Sequence, residues 1–307
     1  MKKILSFAVS LICLYLAFRQ VNFNDISTTL SQGKFLYIIY AFGITGLTFL
    51  IRAIRWNTLL GHPSSYTIHH FSSATHIGYF LNNILPLRAG DLVRAKLLSN
   101  HDTTIKISYV IGSLVGEKII DLWIIGLFTM VLIGFGYTDV LGTQFTLILV
   151  GTYCLSSLII FGRHTISNKL LQYFPVLENF IDGYKLVSKN KLRLGLWSVL
   201  LWTTFVVYVS IALQSIGIIE LEIQQVLGLT ILSSIVTSMP LAPAAIGTYH
   251  LAVIYCLHNL YGIKLEEAQS AAIVMHSIFL VYTIILGYIY MVYEGINIKS
   301  ITNDEKY

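Results

Sequence analysis

Asn82-Asn83-Ile84-Leu85-Pro86-Leu87-Arg88-Ala89-Gly90-Asp91 occupies the middle of a largely apolar stretch, residues 69–100. Fully helical, that stretch would be about 50 Å long. A membrane span takes about 20 apolar residues across a core of ~30 Å, so the stretch is too long for one span and too short for two. Pro86 removes a backbone donor and clashes with the preceding turn. A helix broken at membrane depth survives only where protein or a wet cavity surrounds the break. A second stretch, 224–258, carries Ser238-Met239-Pro240-Leu241-Ala242-Pro243 at its middle. Both read as re-entrant helical hairpins or broken helices.

The rest of the chain supplies the membrane. Of 307 residues, 11% are charged and 55% hydrophobic, against about 25% charged in a soluble domain. Mean hydropathy is +0.73. So few charges cannot cover a water-facing surface. A soluble enzyme, a disordered chain and a nucleic-acid-binding domain are thereby excluded. The net charge of +5 reports orientation, since Lys and Arg gather on the cytoplasmic side. Cys13, Cys154 and Cys256 are far apart in apolar surroundings, where they serve as small packing residues without disulfide or zinc spacing.

Six segments read as full spans: 4–18, 35–51, 107–133, 144–162, 192–216 and 268–292. The first follows Met1-Lys2-Lys3 and lacks a small-x-small cleavage site, so it reads as a retained helix rather than a removed signal peptide. The second is ended by Arg52 and Arg55-Trp56, read as an interface anchor. With both hairpins returning to their own side and both termini cytoplasmic, 16 of the 20 basic residues fall inside. A full crossing at 69–87 would put the ten Lys and Arg of 88–106 and 163–193 outside, against the positive-inside rule.

The two hairpins resemble each other. Ser72-Ser73-Ala74 leads to Leu85-Pro86 and then Gly90; Ser233-Ser234-Ile235 leads to Met239-Pro240 and then Gly247. The first enters from inside and the second from outside, the signature of an inverted-repeat transporter with a midplane site. The expected fold is an all-α polytopic membrane protein. It has about six full transmembrane helices plus two Pro-broken re-entrant hairpins in an inverted repeat. One domain, 1–307, contains halves at about 35–162 and 192–293. Residues 163–193 form an amphipathic cytoplasmic linker on the membrane surface.

Function is sought in the polar residues at depth. Asn82, Asn83, Arg88, Asp91 and Arg94 surround Pro86 and Gly90. A guanidinium fork suits phosphate oxygens, and Gly90 at a helix start lets a ligand approach the backbone. The alternative is interfacial, with these charges snorkelling at the boundary. Glu117 and Asp121 lie i,i+4 on one face with Lys118 beside them. Ionisable groups at that depth are functional candidates or a structural ion cluster. Either Lys118 neutralises Asp121, or the acids meet Arg88 or Arg94. On the second hairpin the candidates are Pro240, Pro243, Gly247 and His250. His62, His69, His70 and His76 show no metal-ligand spacing, and the 19 tyrosines fit interfacial belts. Walker, nucleophile-elbow, zincin and dinucleotide motifs are absent, so no catalytic residue, cofactor or metal is expected.

At these residues the chain resembles the transmembrane, flippase-like domain of lysylphosphatidylglycerol synthases and its stand-alone relatives. Residues 82–94 match Asn-x-x-x-Pro-x-Arg-x-Gly-(Glu/Asp)-x-x-Arg. Glu117-Lys118-Ile119-Ile120-Asp121 matches Glu-(Arg/Lys)-x-x-Asp. Pro243-Ala244-Ala245-Ile246-Gly247-Thr248-Tyr249-His250 is similar to Pro-Gly-Gly-x-Gly-x-x-Glu, with Ala244 and Ala245 in place of glycines and His250 in place of the acid. The resemblance implies a multi-pass plasma-membrane translocase for a phospholipid or polyprenyl-linked lipid headgroup. The aminoacyl-transferase domain has no counterpart before Tyr307. Implied partners are an anionic or polyprenyl-phosphate-linked membrane lipid and, on the second choice, a glycosyltransferase; a homodimer is compatible and nucleic acid is not involved. In the translocase reading, Arg88 and Arg94 hold the lipid phosphate, Asn82 and Asn83 the headgroup, and Glu117 and Asp121 supply counter-charge or proton coupling. The other reading is a membrane-embedded transferase or accessory subunit of lipid-linked glycan synthesis, whose acids serve as general base or metal ligands.

Overall fold

The computed structural model describes residues 2–19, 33–61, 65–102, 105–137, 142–173, 191–218, 221–239 and 241–296, with single positions 28, 31, 63 and 140. Among the described residues there are ten α-helices and no strand. The first half holds α1 (Lys2–Phe18), α2 (Phe35–Leu59), α3 (Ile68–Ile84), α4 (Gly90–His101), α5 (Ile107–Gly134) and α6 (Thr143–Tyr173). The second holds α7 (Lys191–Ser215), α8 (Ile223–Ser238), α9 (Thr248–Ile254) and α10 (Leu265–Tyr293), with a π-helical turn at Tyr255–Leu260 after α9. The chain is thus an all-α polytopic membrane protein.

Helices occupy all six segments read as spans. Of these, α2, α7 and α10 are both long and apolar enough to cross a membrane. The 28-residue α5 carries Glu117, Lys118 and Asp121. Two boundaries differ from the sequence reading. α2 runs on to Leu59, so Arg52 and Arg55 lie inside the helix instead of ending it; buried carboxylates receive them, and the helix has no need to stop. α6 runs on to Tyr173, so the segment read as a cytoplasmic linker begins as its last turns. Residues 174–190 of that linker lie outside the described residues. Large apolar side chains such as Leu11, Tyr15, Phe35, Leu147, Leu192 and Tyr293 face outward. In a protein that spans a membrane, these are the lipid faces.

Element order repeats. Long helix, short helix, tight turn, short helix, long helix occurs as α2–α5 and again as α7–α10. The two leading helices, α2 and α7, lie side by side and antiparallel. Lys34 N donates to Ser215 O at 2.8 Å at one end, and Thr48 Oγ1 donates to Thr204 Oγ1 at 2.9 Å midway. At the other end Arg55 Nη1 reaches Ser198 Oγ at 3.4 Å. An in-plane two-fold axis produces that alignment.

The turns set the register of the repeat. The sequence reading matched Pro86 with Pro240, which lies outside the described residues; the backbone instead matches Pro86 with Pro243. Each opens a 3-10 turn, at Pro86–Arg88 and Pro243–Ala245. In each, the residue before proline is extended (Leu85 φ −89°, ψ 139°; Ala242 φ −141°, ψ 147°), because the proline ring crowds the α conformation there. Two left-handed non-glycine residues follow in each: Leu87 (φ 58°) and Arg88 (φ 55°), then Ala244 (φ 50°) and Ala245 (φ 56°). Such residues cost about 1–2 kcal/mol apiece. Gly90 and Gly247 each come four residues after their proline.

Close backbone approach holds the first hairpin shut. A Cβ at Gly90 would fall 2.1 Å from the Gly78 carbonyl oxygen, so α3 and α4 meet main chain to main chain. At the open end, the buried Tyr66 hydroxyl donates to Leu98 O at 2.8 Å; burial first, then the Asp102 charge, pushes its pKa up to about 12. α3 also packs along α10, where a Cβ at Gly287 would fall 2.3 Å from Phe80 Cβ. Apolar residues bury in two clusters, one around Trp56, Phe71, Leu81 and Ile124, the other around Leu213, Val253, Leu257 and Met275.

Candidate functional site

Three charged helices, α2, α4 and α5, converge in the first half. Glu117 on α5 is buried and receives three arginines: Arg52 Nη1 at 2.9 Å, Arg94 Nη2 at 2.7 Å and Arg55 Nη2 at 3.2 Å. Asp121, one turn on, accepts from Arg55 Nη1 at 2.6 Å and Trp202 Nε1 at 3.3 Å. The Arg94 guanidinium lies 3.9 Å from the Trp56 ring centroid, and Trp56 Nε1 donates to Ser113 Oγ at 3.1 Å. A buried carboxylate at this depth demands such company. Of the pairings the sequence left open, Glu117 takes Arg94. Both acids also take the arginines of α2, which the sequence reading had put at the membrane interface. Their spacing was the overlooked signal: Arg52 and Arg55 at i,i+3 present a cationic face, Glu117 and Asp121 at i,i+4 an anionic one.

Beside this cluster lies a cavity of about 470 Å³. Its position follows from the repeat. In one half-to-half contact, α3 packs along α10; the corresponding pair, α8 and α5, touches at few points, and the cavity fills that gap. Its polar wall comprises Arg52, Arg88, Lys118, Asp91 and Asp121 with Asn82 and Asn83. Its apolar wall includes Phe49, Leu122, Ile125, Phe205 and Phe279. The tips of the two hairpins meet at its edge. Arg88 Nε donates to Asp91 Oδ2 at 3.3 Å, and Arg88 Nη1 crosses to the Thr237 carbonyl at 2.9 Å. That carbonyl belongs to the last turn of α8, which has no amide of its own to receive. Asn82 Nδ2 donates to Asp91 Oδ1 at 3.1 Å, and Asn83 Nδ2 to Thr283 Oγ1 on α10 at 2.9 Å. Lys118 faces the cavity with neither ion pair nor hydrogen bond among the described residues.

The sequence candidates therefore divide. Asn82, Asn83, Arg88, Asp91, Lys118 and Asp121 line one cavity. Arg94 and Glu117 are buried behind it, each 1% exposed at the side chain, and bonded to one another. Pro86 shapes the turn. Gly90 is buried against Gly78 and Asn82; its missing side chain admits neighbouring backbone, and it does not line the cavity. On the second hairpin, Pro243 opens the tip turn. Gly247 (φ 87°) packs against α1, where a Cβ would meet Ser10 O at 2.6 Å. His250 accepts from Gly247 N at 3.3 Å and sits edge-on to Phe18 and His276, one ring behind the cavity wall. The cavity-lining imidazole is His276 of α10, absent from the sequence candidates. Its Nε2 donates to Ala244 O at 2.9 Å, and its ring stacks on Tyr249 at 4.9 Å. No motif marks it, because one histidine in an apolar span carries no spacing.

Paired broken helices, a shared tip contact and a charged cavity define a polytopic membrane protein built around a polar cavity. The family described as the lysylphosphatidylglycerol synthase TM region matches residues 3–287, and the chain belongs to it. It is also similar to the UPF0104 membrane protein MJ1078 of Methanocaldococcus jannaschii, 28% identical over 244 residues, covering 74% of this chain and 100% of that protein.

Proposed function

We propose that this protein is a lipid translocase, a transporter rather than an enzyme, which moves the headgroup of a phospholipid or polyprenyl-linked lipid across the cell membrane. Both termini lie on the cytoplasmic side in this reading. The observation that supports it is the two-sided cavity between α5 and α8, with Arg88 and Lys118 on its polar wall and Phe49, Phe205 and Phe279 on its apolar wall. A headgroup takes the first and an acyl or isoprenoid chain the second. Arg88 has a second attribute that suits transport, since it ties the two hairpin tips together and also faces the ligand space. A headgroup that competes for the guanidinium loosens the tips, which allows the halves to rock about the site as inverted-repeat transporters do. The transferase alternative needs a carboxylate free to take a proton or a metal; Asp91 and Asp121 both already accept from arginines.

The test is movement of labelled lipid between leaflets of vesicles holding the purified protein. Arg88→Ala and Lys118→Ala proteins that fold normally are expected to lose it. Full activity in both would remove the site assignment, and product formation from a sugar-nucleotide donor would replace the translocase with the transferase.

A further inference from the structure

We infer that the cavity selects a lipid headgroup carrying about two negative charges, a phosphomonoester or a pyrophosphate bridge, over monoanionic, zwitterionic or cationic headgroups. The inference deepens the translocase reading and takes its cavity as the ligand site.

The argument is charge balance at membrane depth. Around the cavity, among the described residues, the cations are Arg52, Arg55, Arg88, Arg94 and Lys118, and the carboxylates are Asp91, Glu117 and Asp121. Every carboxylate is bonded to at least one arginine, and Glu117 to three. Two positive charges are left without a protein counter-charge. In water that excess would be trivial; in a low-dielectric interior, unpaired charge is costly and marks the place of a ligand or ion. Lys118 carries one of the two: the carboxylate it attracts, Asp91, is bonded to Arg88, and none lies within ion-pair distance of Lys118. The other is shared among the arginines that crowd Glu117.

The compensating ligand is then an anion of matching charge. A phosphomonoester has a second pKa near 6 and carries close to two charges at neutral pH; a pyrophosphate bridge likewise spreads two charges. A phosphodiester lipid supplies only one. A zwitterionic lipid brings an ammonium into a space that already holds excess cation. An aminoacylated phosphatidylglycerol, net cationic, is worse still. The apolar wall formed by Phe49, Ile125, Phe205, Val209, Phe279 and Leu280 gives a hydrocarbon chain a place and free phosphate none, so the anion is a lipid's.

The test uses the purified full chain in detergent and measures thermal stabilisation by lipids with identical acyl chains: phosphatidate, phosphatidylglycerol, phosphatidylcholine and lysylphosphatidylglycerol. Phosphatidate is expected to bind about tenfold tighter than phosphatidylglycerol, which corresponds to one further favourable charge, and the other two more weakly. Lys118→Gln, which removes an unpaired side chain and so leaves folding intact, is expected to erase most of that preference, and Lys118→Arg to restore it. Equal affinity for phosphatidate and phosphatidylglycerol, or a preference that survives Lys118→Gln, overturns the inference. So does inorganic phosphate that competes as well as phosphatidate, because the site would then be one for a soluble anion. If the phosphatidate preference holds and no lipid crosses a vesicle membrane, the ligand class stands and the translocase reading falls. If lipids cross regardless of headgroup charge, the translocase reading stands and the ligand class falls.

Discussion

Arg94 Nη2 and Glu117 Oε2 lie 2.7 Å apart with both side chains 1% exposed. Arg94 belongs to the second arm of a Pro-broken hairpin and Glu117 to a neighbouring long helix, so this buried ion pair ties that arm to the body. With Arg52 and Arg55 on the same carboxylate, Glu117 is the electrostatic centre of the first half.

Glu117→Ala is therefore a stability mutant before it is an activity mutant. It leaves three arginines facing a void, and removal of one partner from a buried pair costs about 3–5 kcal/mol. A large fall in melting temperature in detergent, with loss of folded yield, is expected. A protein that melts within a few degrees of wild type would mean that water already reaches these arginines.

Gly90→Ala should destabilise by about 1–3 kcal/mol, the usual range for overpacking, since the added methyl would lie 2.1 Å from the Gly78 carbonyl oxygen and 2.7 Å from Asn82 Oδ1. Gly43→Ala, within α2 and with nothing within 4 Å of the new carbon, is the control. It should stabilise by up to about 1 kcal/mol through helix propensity. Paired melting curves decide; a neutral Gly90→Ala would show that the arms of the hairpin can separate at no cost.

Gly247→Ala should loosen α1. Its φ of 87° disfavours a side chain, and the new carbon would fall 2.9 Å from Cys13 Cβ and 2.6 Å from Ser10 O. In a Cys154→Ser background, which removes the exposed thiol, maleimide labelling of Cys13 is expected to quicken several-fold. An unchanged rate would place the strain elsewhere.

His276→Ala removes the bond to the Ala244 carbonyl and the stack on Tyr249. The carbonyl sits on a turn with two left-handed alanines, and among the bonds described no other donor reaches it. A loss of about 1–3 kcal/mol, typical of a buried acceptor left unsatisfied, is expected. His276→Gln, which can still donate, should recover part of it. Equal stability of both variants would show that the tip turn holds itself.

Much of this architecture was legible in the sequence, for physical reasons. Apolar runs of span length have one stable form in lipid, so the long helices were readable from composition alone. Pro86 had to break its helix, and the extended Leu85 before it follows from the proline ring. Less legible was which proline of 240 and 243 plays the matching part. Either proline can break a helix, and only the backbone shows that two left-handed residues follow Pro243. The sites divided in the same way. Asn82, Asn83, Arg88 and Asp91 cluster in sequence and stay together in space. Arg52 and Arg55 stand 65 and 66 residues from the acids that bind them, and their position near a span's end suggested an interface. Local spacing says which face a charge occupies; it does not say how far the helix continues or what packs on that face.

The same separation has a consequence for biosynthesis. A ribosome makes Arg52, Arg55 and Arg94 before it makes Glu117 and Asp121. Until α5 emerges, the growing chain holds three arginines without the two acids that bind them, and bare arginines stay near water. The first hairpin therefore settles to its final depth only once α5 has arrived, so the order of synthesis, not apolarity alone, governs when the first half enters the bilayer.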